Sequence, residues 1–564
     1  MTRARWPAQG AACGRARCRT SYHRASYRCT SYRCTSYRCT SYRRTSYRRT
    51  SYRRTSYRHV GPHWTLLPVL LLGLACGQSR DVPRDVIVVA LANSPVNLDP
   101  ALGTDEASQR MHQLLFSSLL KIDGSLRVVP DLATRFETTD HQTYVAEIPA
   151  GVRFHDGREM TAEDVAFTFR RFLDPAFTSG RKGAYRALTA VDVLGPRTVA
   201  FRLAEPSASF PINLVMGIVP AGTGAEAARA PVGSGPYRLA AFVLDDHVLL
   251  TPFADHHAGP PANSGLFFKV VPDETMRGLE LRKGSVDVVV NDLSPDLVHG
   301  LEEQAGLQVV TAPGTDFAYL GFNLRDPVLA RLDVRRAIGY AIDYDAIVTH
   351  LRRGLARPAG GLVPSMSWAA DPGPPPFVHD PARARALLDA AGFPDPDGDG
   401  PAPRLQLTLK TSTAEAYRVQ AAVIQQNLAA VGIALEIRSY EFATLFADVV
   451  RGNVQLYTLQ FVGITDPDML RRVYHSSLMA PNGFNRGAYA NAEVDRLIDD
   501  AGTALDEDRR RALYRQIQRL VAEDAALLGL WAKTNVAVAQ PDLTGLTLSP
   551  TADFGFLQHV ARAR

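Results

Sequence analysis

Residues 316–346, DFAYLGFNLRDPVLARLDVRRAIGYAIDYDA, constrain this chain more than any other stretch. The run 317–322 is apolar, rich in aromatics and too short for a helix, so it predicts a buried strand. Residues 323–332 read as a loop. Asp333 then suits the N-cap of a helix whose Val334, Ile338, Ala341 and Ile342 recur at i, i+4, i+7 and i+8 on one face. Spacing alone predicts strand, loop and amphipathic helix, all with packing roles.

At 564 residues the chain should hold more than one compact unit, and 46% apolar residues suffice for a large core. The net charge of +6 misleads. The first 75 residues carry 16 arginines and no acidic residue, which leaves the remainder at −10. A mildly acidic body argues against a nucleic-acid binder, whose basic footprint belongs on the folded domain. The six cysteines are Cys13, Cys18, Cys29, Cys34, Cys39 and Cys76. The body beyond them has no disulfide, no cysteine nucleophile and no Cys-ligated zinc site.

Residues 20–58 repeat Thr-Ser-Tyr-Arg-Cys or Thr-Ser-Tyr-Arg-Arg with no apolar period, and cannot build a core. We read them as a repetitive upstream tract translated from too early a start; contact with nucleic acid or anionic membrane is the alternative. Residues 63–75, HWTLLPVLLLGLA, have the length of a signal-peptide h-region and are too short to span a membrane. The ending resembles a lipoprotein signal, with Ala75 before Cys76, though Gly73 stands where leucine is usual. That resemblance predicts a lipid on Cys76; a plain signal peptide or a buried apolar segment is the alternative.

Along the body, residues 85–92 predict a buried strand, and the loop 93–101 leads to LGTD at 102–105. Residues 110–120 predict a helix. Residues 151–172 hold a capping box, Thr161 with Asp164, ahead of Val165, Phe169 and Phe172 on one face. His155 beside Asp156-Gly157 reads as a structural turn residue. The segment PVGSGPYRL, 231–239, is a rigid turn lacking both the Gly-Lys-Ser/Thr ending and the G-x-G-x-x-G spacing of phosphate loops. Residues 266–271, 274–282 and 286–290 predict strand, helix and strand, as do 405–409, the stripe Tyr417, Ala421, Ile424, Leu428 and Val431, and 433–437. DPDGDG at 395–400 starts like a calcium loop, but Gln406 stands at position 12 and Pro401 and Pro403 interrupt it; a polar turn is expected.

These words in this order resemble the peptide/nickel-type extracytoplasmic solute-binding proteins of ABC importers, family 5. That family carries Tyr-Leu-x-Phe-Asn and then Asp-x-Arg-x-Ala-Ile-x-x-Ala-Ile-Asp. The matching residues are Tyr319, Leu320, Phe322 and Asn323, followed by Asp333, Arg335, Ala337, Ile338, Ala341, Ile342 and Asp343. The turns Phe154-His-Asp-Gly and Gly233-x-Gly-Pro-Tyr, the Thr161 helix start and Asp466-Pro467 extend the likeness over 85–564. It implies an α/β, periplasmic-binding-protein-like fold: two α/β lobes, crossover hinge strands and an extra outer domain in the first lobe. The expected division is 1–59 repeat, 60–75 signal peptide, 76–84 lipidated cysteine and tether, 85–315 first lobe with the outer domain near 121–225, 316–530 second lobe, and 531–564 the return to the first lobe.

The function implied is capture of a solute, by default a short peptide, between the lobes, and delivery to a permease and ATPase complex. The protein would be held at the membrane of the cell envelope by its lipid alone, with no cofactor, no metal and no nucleic acid. The ligand residues expected are Gly103, Thr104 and Asp105 from the first lobe, Tyr319 and Asn323 at the crossover, and Phe461, Gly463, Asp466 and Asp468 from the second. Main-chain groups near 103 would pair with an extended ligand, Phe461 would form an apolar wall, and the aspartates would meet a cationic group. Peptide binders of the family place an aspartate a few residues before Asp-Pro, where this chain has Ile464; Asp466-Pro467 also suits a turn. A sensor feeding a signalling receptor, or a binder of a sugar, opine or metal complex, shares the same fold. An enzyme is disfavoured, since the body has no G-x-S-x-G, no H-E-x-x-H and no cysteine.

Overall fold

The computed structural model describes residues 82–398 and 400–563. The repeat, the signal-peptide segment and Cys76 lie outside the described residues. Two long strands organise the rest. Gln308–Phe322 and Leu527–Ala539 pair antiparallel, from Gln308 opposite Ala539 to Gly321 opposite Leu527. Their register shifts between Pro313 and Phe317 and again between Ala318 and Tyr319. The first break falls where Pro313 can donate nothing to a ladder and Gly314 has no side chain to pack.

Both lobes grow from this pair as one continuous sheet. On one side Val288–Val290 joins Leu527–Ala539, then Ile87–Leu91 pairs parallel with it and with Leu266–Val270, followed by two antiparallel strands. On the other, Leu456–Phe461 joins Gln308–Phe322, with Leu405–Ser412 and Ile433–Tyr440 parallel beyond it. Parallel strands are covered on both faces, so Ile87–Leu91 is buried at every residue. The two-residue period sends Ile87, Val89 and Leu91 into one core with Phe268 and Phe554, and Val88 and Ala90 into another with Leu281 and Val538. Phe317 and Tyr319 likewise face a different core from Ala318 and Leu320.

Local signals set the helices. Glu106–Leu115 begins earlier than the apolar pattern suggests, because Asp105 caps it by accepting from the Ser108 N–H. Leu332–Ala341 starts after Arg331, so Asp333 sits in the first turn instead of capping it, where its charge still favours the helix N-terminus. Arg335 is buried and donates to the carbonyls of Leu329, Ala330, Asp524 and Ala525, a structural reason for an arginine in that motif.

The strands Arg135–Thr138, Thr143–Glu147, Thr198–Leu203 and Leu188–Gly195 form a separate antiparallel sheet. Helix Ala162–Arg170, opened by the Thr161–Asp164 capping box, packs there around Tyr144, Phe154, Phe169 and Phe201. His155 pins the turn that leads back. Its Nδ1 accepts from the Gly233 N–H at 3.2 Å and its Nε2 donates to the Gly235 carbonyl at 3.1 Å. A Cβ on Gly233 would lie 1.8 Å from the Leu115 carbonyl oxygen, so this approach needs glycine.

The two lobes also touch away from the crossover strands. The Trp368 N–H donates to the Ser125 carbonyl at 3.0 Å, and the Ala208 N–H to the Gly502 carbonyl at 3.1 Å. His141 Nε2 lies 3.2 Å from the Ala504 carbonyl, and Arg353 pairs with Asp296 at 2.7 Å.

Candidate functional site

Where the crossover strands meet both lobes, the structure leaves a cavity of about 370 Å³. The first lobe contributes Glu274, Arg277 and the loop after Val288–Val290; the second contributes Arg352, Tyr417 and Gln460; Trp531 and Lys533 come from the long strand itself. Concave sites of this size between lobes, with a few polar groups on an apolar wall, are the usual seats of small ligands. A larger hollow of about 680 Å³, around Pro374–Pro376 and Arg383, involves no first-lobe residue and no convergent polar groups across lobes.

Most polar groups of the interlobe cavity hold the protein together. Arg277 donates to the carbonyls of Val271, Pro272 and Asp292. Asp292 accepts from Arg110 and from the Ala92 N–H, and Glu274 from the Ser294 N–H. Asn291, in a left-handed conformation with φ 60°, accepts from the Val536 N–H. Asp316 lies behind the wall, receiving Gln460 and the Gly463 N–H, each at 3.0 Å, with Lys533 at 3.6 Å.

The residues singled out by sequence take other places, and none of them lines this cavity. The Gly103 N–H donates to Asp99 and its carbonyl accepts from Arg181; the Thr104 carbonyl accepts from Gln109; Asp105 is the helix cap. Tyr319 is buried, stacked on Phe461 with centroids 4.8 Å apart. The Asn323 amide donates to the carbonyls of Gly452 and Val454. Gly463 has φ 67°, and Ile464 is buried. Asp466 and Asp468 come together: Asp466 accepts from the Asp468 N–H at 2.7 Å. Burial raises both carboxyls, and Asp466 beside it helps lift Asp468 to about 7. The nearby guanidiniums of Arg472 and Arg510 oppose the rise without cancelling it. Among the described residues no hydrogen bond or ion pair joins the 103–105 group to the 461–468 group.

Sequence reading missed Arg352, Tyr417, Gln460, Trp531 and Lys533. One signal was available. Trp531 and Lys533 stand two apart in a largely apolar strand, so they share a face, and a cation there marks a wall that is not core.

Comparison with known proteins assigns the chain. Residues 127–479 match the model of the bacterial extracellular solute-binding proteins, family 5 Middle. A probable di/tripeptide-binding protein 5 of Pseudomonas aeruginosa is 29% identical over 469 residues, 78% of this chain and 88% of that one. The oligopeptide-binding protein AppA of Bacillus subtilis, solved in complex with a nonapeptide, superposes with TM-score 0.67 at 26% identity over 85% of this chain and 99% of that chain. HbpA2 from Haemophilus parasuis shares the fold with TM-score 0.77, at 22% identity over 85% and 100% of the two chains. The fold is thus that of a two-lobed solute-binding protein. The chain belongs to the bacterial extracellular solute-binding proteins of family 5, the solute-binding class of ABC importers, and it is not an enzyme.

Proposed function

We propose that this protein captures a short peptide between its lobes and delivers it to the permease and ATPase complex of an ABC importer, from a position anchored at the cell envelope through a lipid on Cys76. The observation that carries the reading is the interlobe cavity, walled by both lobes and by a crossover strand, in a molecule whose lobes already touch. Closing over a solute removes it from water, which strengthens each polar contact inside, and presents a surface that the open form lacks. A ligand then acts by shifting the open–closed population. Relatives named for di- and tripeptides, and a neighbour solved with a nonapeptide, support peptide as the solute.

The test is the melting temperature of the protein against short peptides, sugars and metal complexes. A ligand that binds only the folded state raises that temperature once its concentration passes the dissociation constant. A rise with peptides upholds the reading; a rise with a sugar or metal complex alone replaces the peptide but keeps the class.

A further inference from the structure

The charges around the interlobe cavity do not balance. Its lining carries two acids, Glu274 and Asp292, and three bases, Arg277, Arg352 and Lys533. Glu274 and Asp292 are held by the first lobe, Arg277 is spent on carbonyls, and Lys533 faces Asp316. Arg352 is left over. Among the described residues its guanidinium has no hydrogen-bond or ion-pair partner, and its Nε is fully buried without one. Its neighbour Arg353 does pair, with Asp296 of the first lobe. One of two consecutive arginines therefore fastens the lobes and the other points a free charge into the space between them.

Arg352 is also held ready. Its guanidinium carbon lies 4.2 Å from the ring centroid of Trp531, so the aromatic face offsets part of the lost hydration. Trp531 is itself fixed, since its indole N–H donates to Gln420 at 2.8 Å. The Tyr417 hydroxyl lines the same wall and makes no hydrogen bond within the described residues. A planar fork of N–H donors backed by an indole, with a phenol beside it, fits a carboxylate in two-point contact.

We propose that Arg352 is the anion receptor of the interlobe cavity, and that the solutes this protein takes present a carboxylate to it. The proposal rests on the reading of the cavity as the solute site, and it sets a specificity within that reading: a peptide would be held by its free C-terminus or an acidic side chain.

The experiment titrates a randomised tripeptide mixture, as free acids and as C-terminal amides, into the wild-type protein and into the Arg352→Gln and Arg352→Lys variants. The free acids should bind the wild type about 10- to 100-fold more tightly than the amides, the range of a charge-assisted two-point contact. Arg352→Gln should reduce that preference to a few-fold, and Arg352→Lys should keep part of it. Equal binding of acids and amides by the wild type overturns the proposal and leaves the peptide reading standing, whether or not the variants fold. Retention of the full preference by Arg352→Gln overturns it too. If no tripeptide binds, the peptide reading fails, and gluconate against glucose decides the proposal. A stabilisation by gluconate that depends on Arg352 upholds it; a shift by glucose alone, by both alike or by neither overturns it.

Discussion

Arg486 donates to the hydroxyl of Tyr319 at 2.7 Å, and the same guanidinium lies over the rings of Phe446, Phe461 and Phe484 at 5.2, 5.0 and 5.3 Å. A tyrosine in the middle of a buried strand thus shares its polar end between a cation packed among aromatic rings and the neighbouring Tyr457. Tyr319→Phe should cost about 1–2 kcal/mol of stability, the usual loss when a hydrogen bond to a charged group goes and its partner stays half-covered. Thermal melting of the two proteins checks this, and an unchanged melting temperature would mean that water replaces the hydroxyl freely.

Asp468 gives the protein a pH dependence of unusual sign. Burial, and then the charge of Asp466, raise its carboxyl from 3.8 to about 7. Between those values the folded protein holds a proton that the unfolded chain has released, so stability is fullest below about 4 and falls as pH rises towards 7. Asp468→Asn removes the penalty. It should add about 2–4 kcal/mol at pH 8 and almost nothing at pH 4. Melting curves of both proteins across that range should diverge upward in pH; parallel curves would show that Asp468 ionises normally.

Gly103 sits where any side chain collides. A Cβ there would lie 2.1 Å from the Asn97 carbonyl oxygen, 2.8 Å from the His112 ring and 2.9 Å from the Ser108 Cβ. His112 is buried, and its desolvation pushes its pKa down to about 4, so the ring stays neutral in a tight place. Gly103→Ala should therefore cost about 1–3 kcal/mol or more, seen as a lower melting temperature. A variant as stable as the parent would show that the 97–105 loop moves aside.

Cys76 carries the anchor in our reading. Cys76→Ser should move the protein from the membrane fraction to the soluble one and abolish incorporation of labelled fatty acid, with the solute affinity of the purified protein unchanged. One acyl group alone binds membrane only marginally, so the parent's retention should require the multiply acylated form. Equal fractionation of parent and variant would remove the anchor from the account.

Much of the fold was legible because it depends on local chemistry. The strand at 317–322, the helix after it, the Thr161–Asp164 capping box and the two strand–helix–strand units each announce themselves within a few residues. The site was less legible. Motif words located Tyr319 and Asn323 at the crossover, but a strand alternates its faces at every residue, and two register shifts within this pair decide which face meets the cavity. Asp105 and Asn323 looked available because capping and loop-clamping roles use the same side chains as ligand binding. Arg352 and Trp531 become neighbours only when the returning strand lies against the loop before Ala356–Arg357, a juxtaposition that no local pattern encodes.

The first lobe is finished by the end of the chain. Val288–Val290 waits for Ala537–Ala539 as its neighbour, the Tyr237 hydroxyl for the Leu557 carbonyl, and the buried Asp287 for Arg562. Until those last residues are available the central sheet of the first lobe lacks its neighbour at Val288–Val290, and these contacts of Tyr237 and Asp287 stay unmade. The two ends of the lobe's sequence thus have to meet before its core is closed, whatever the order in which the chain emerges.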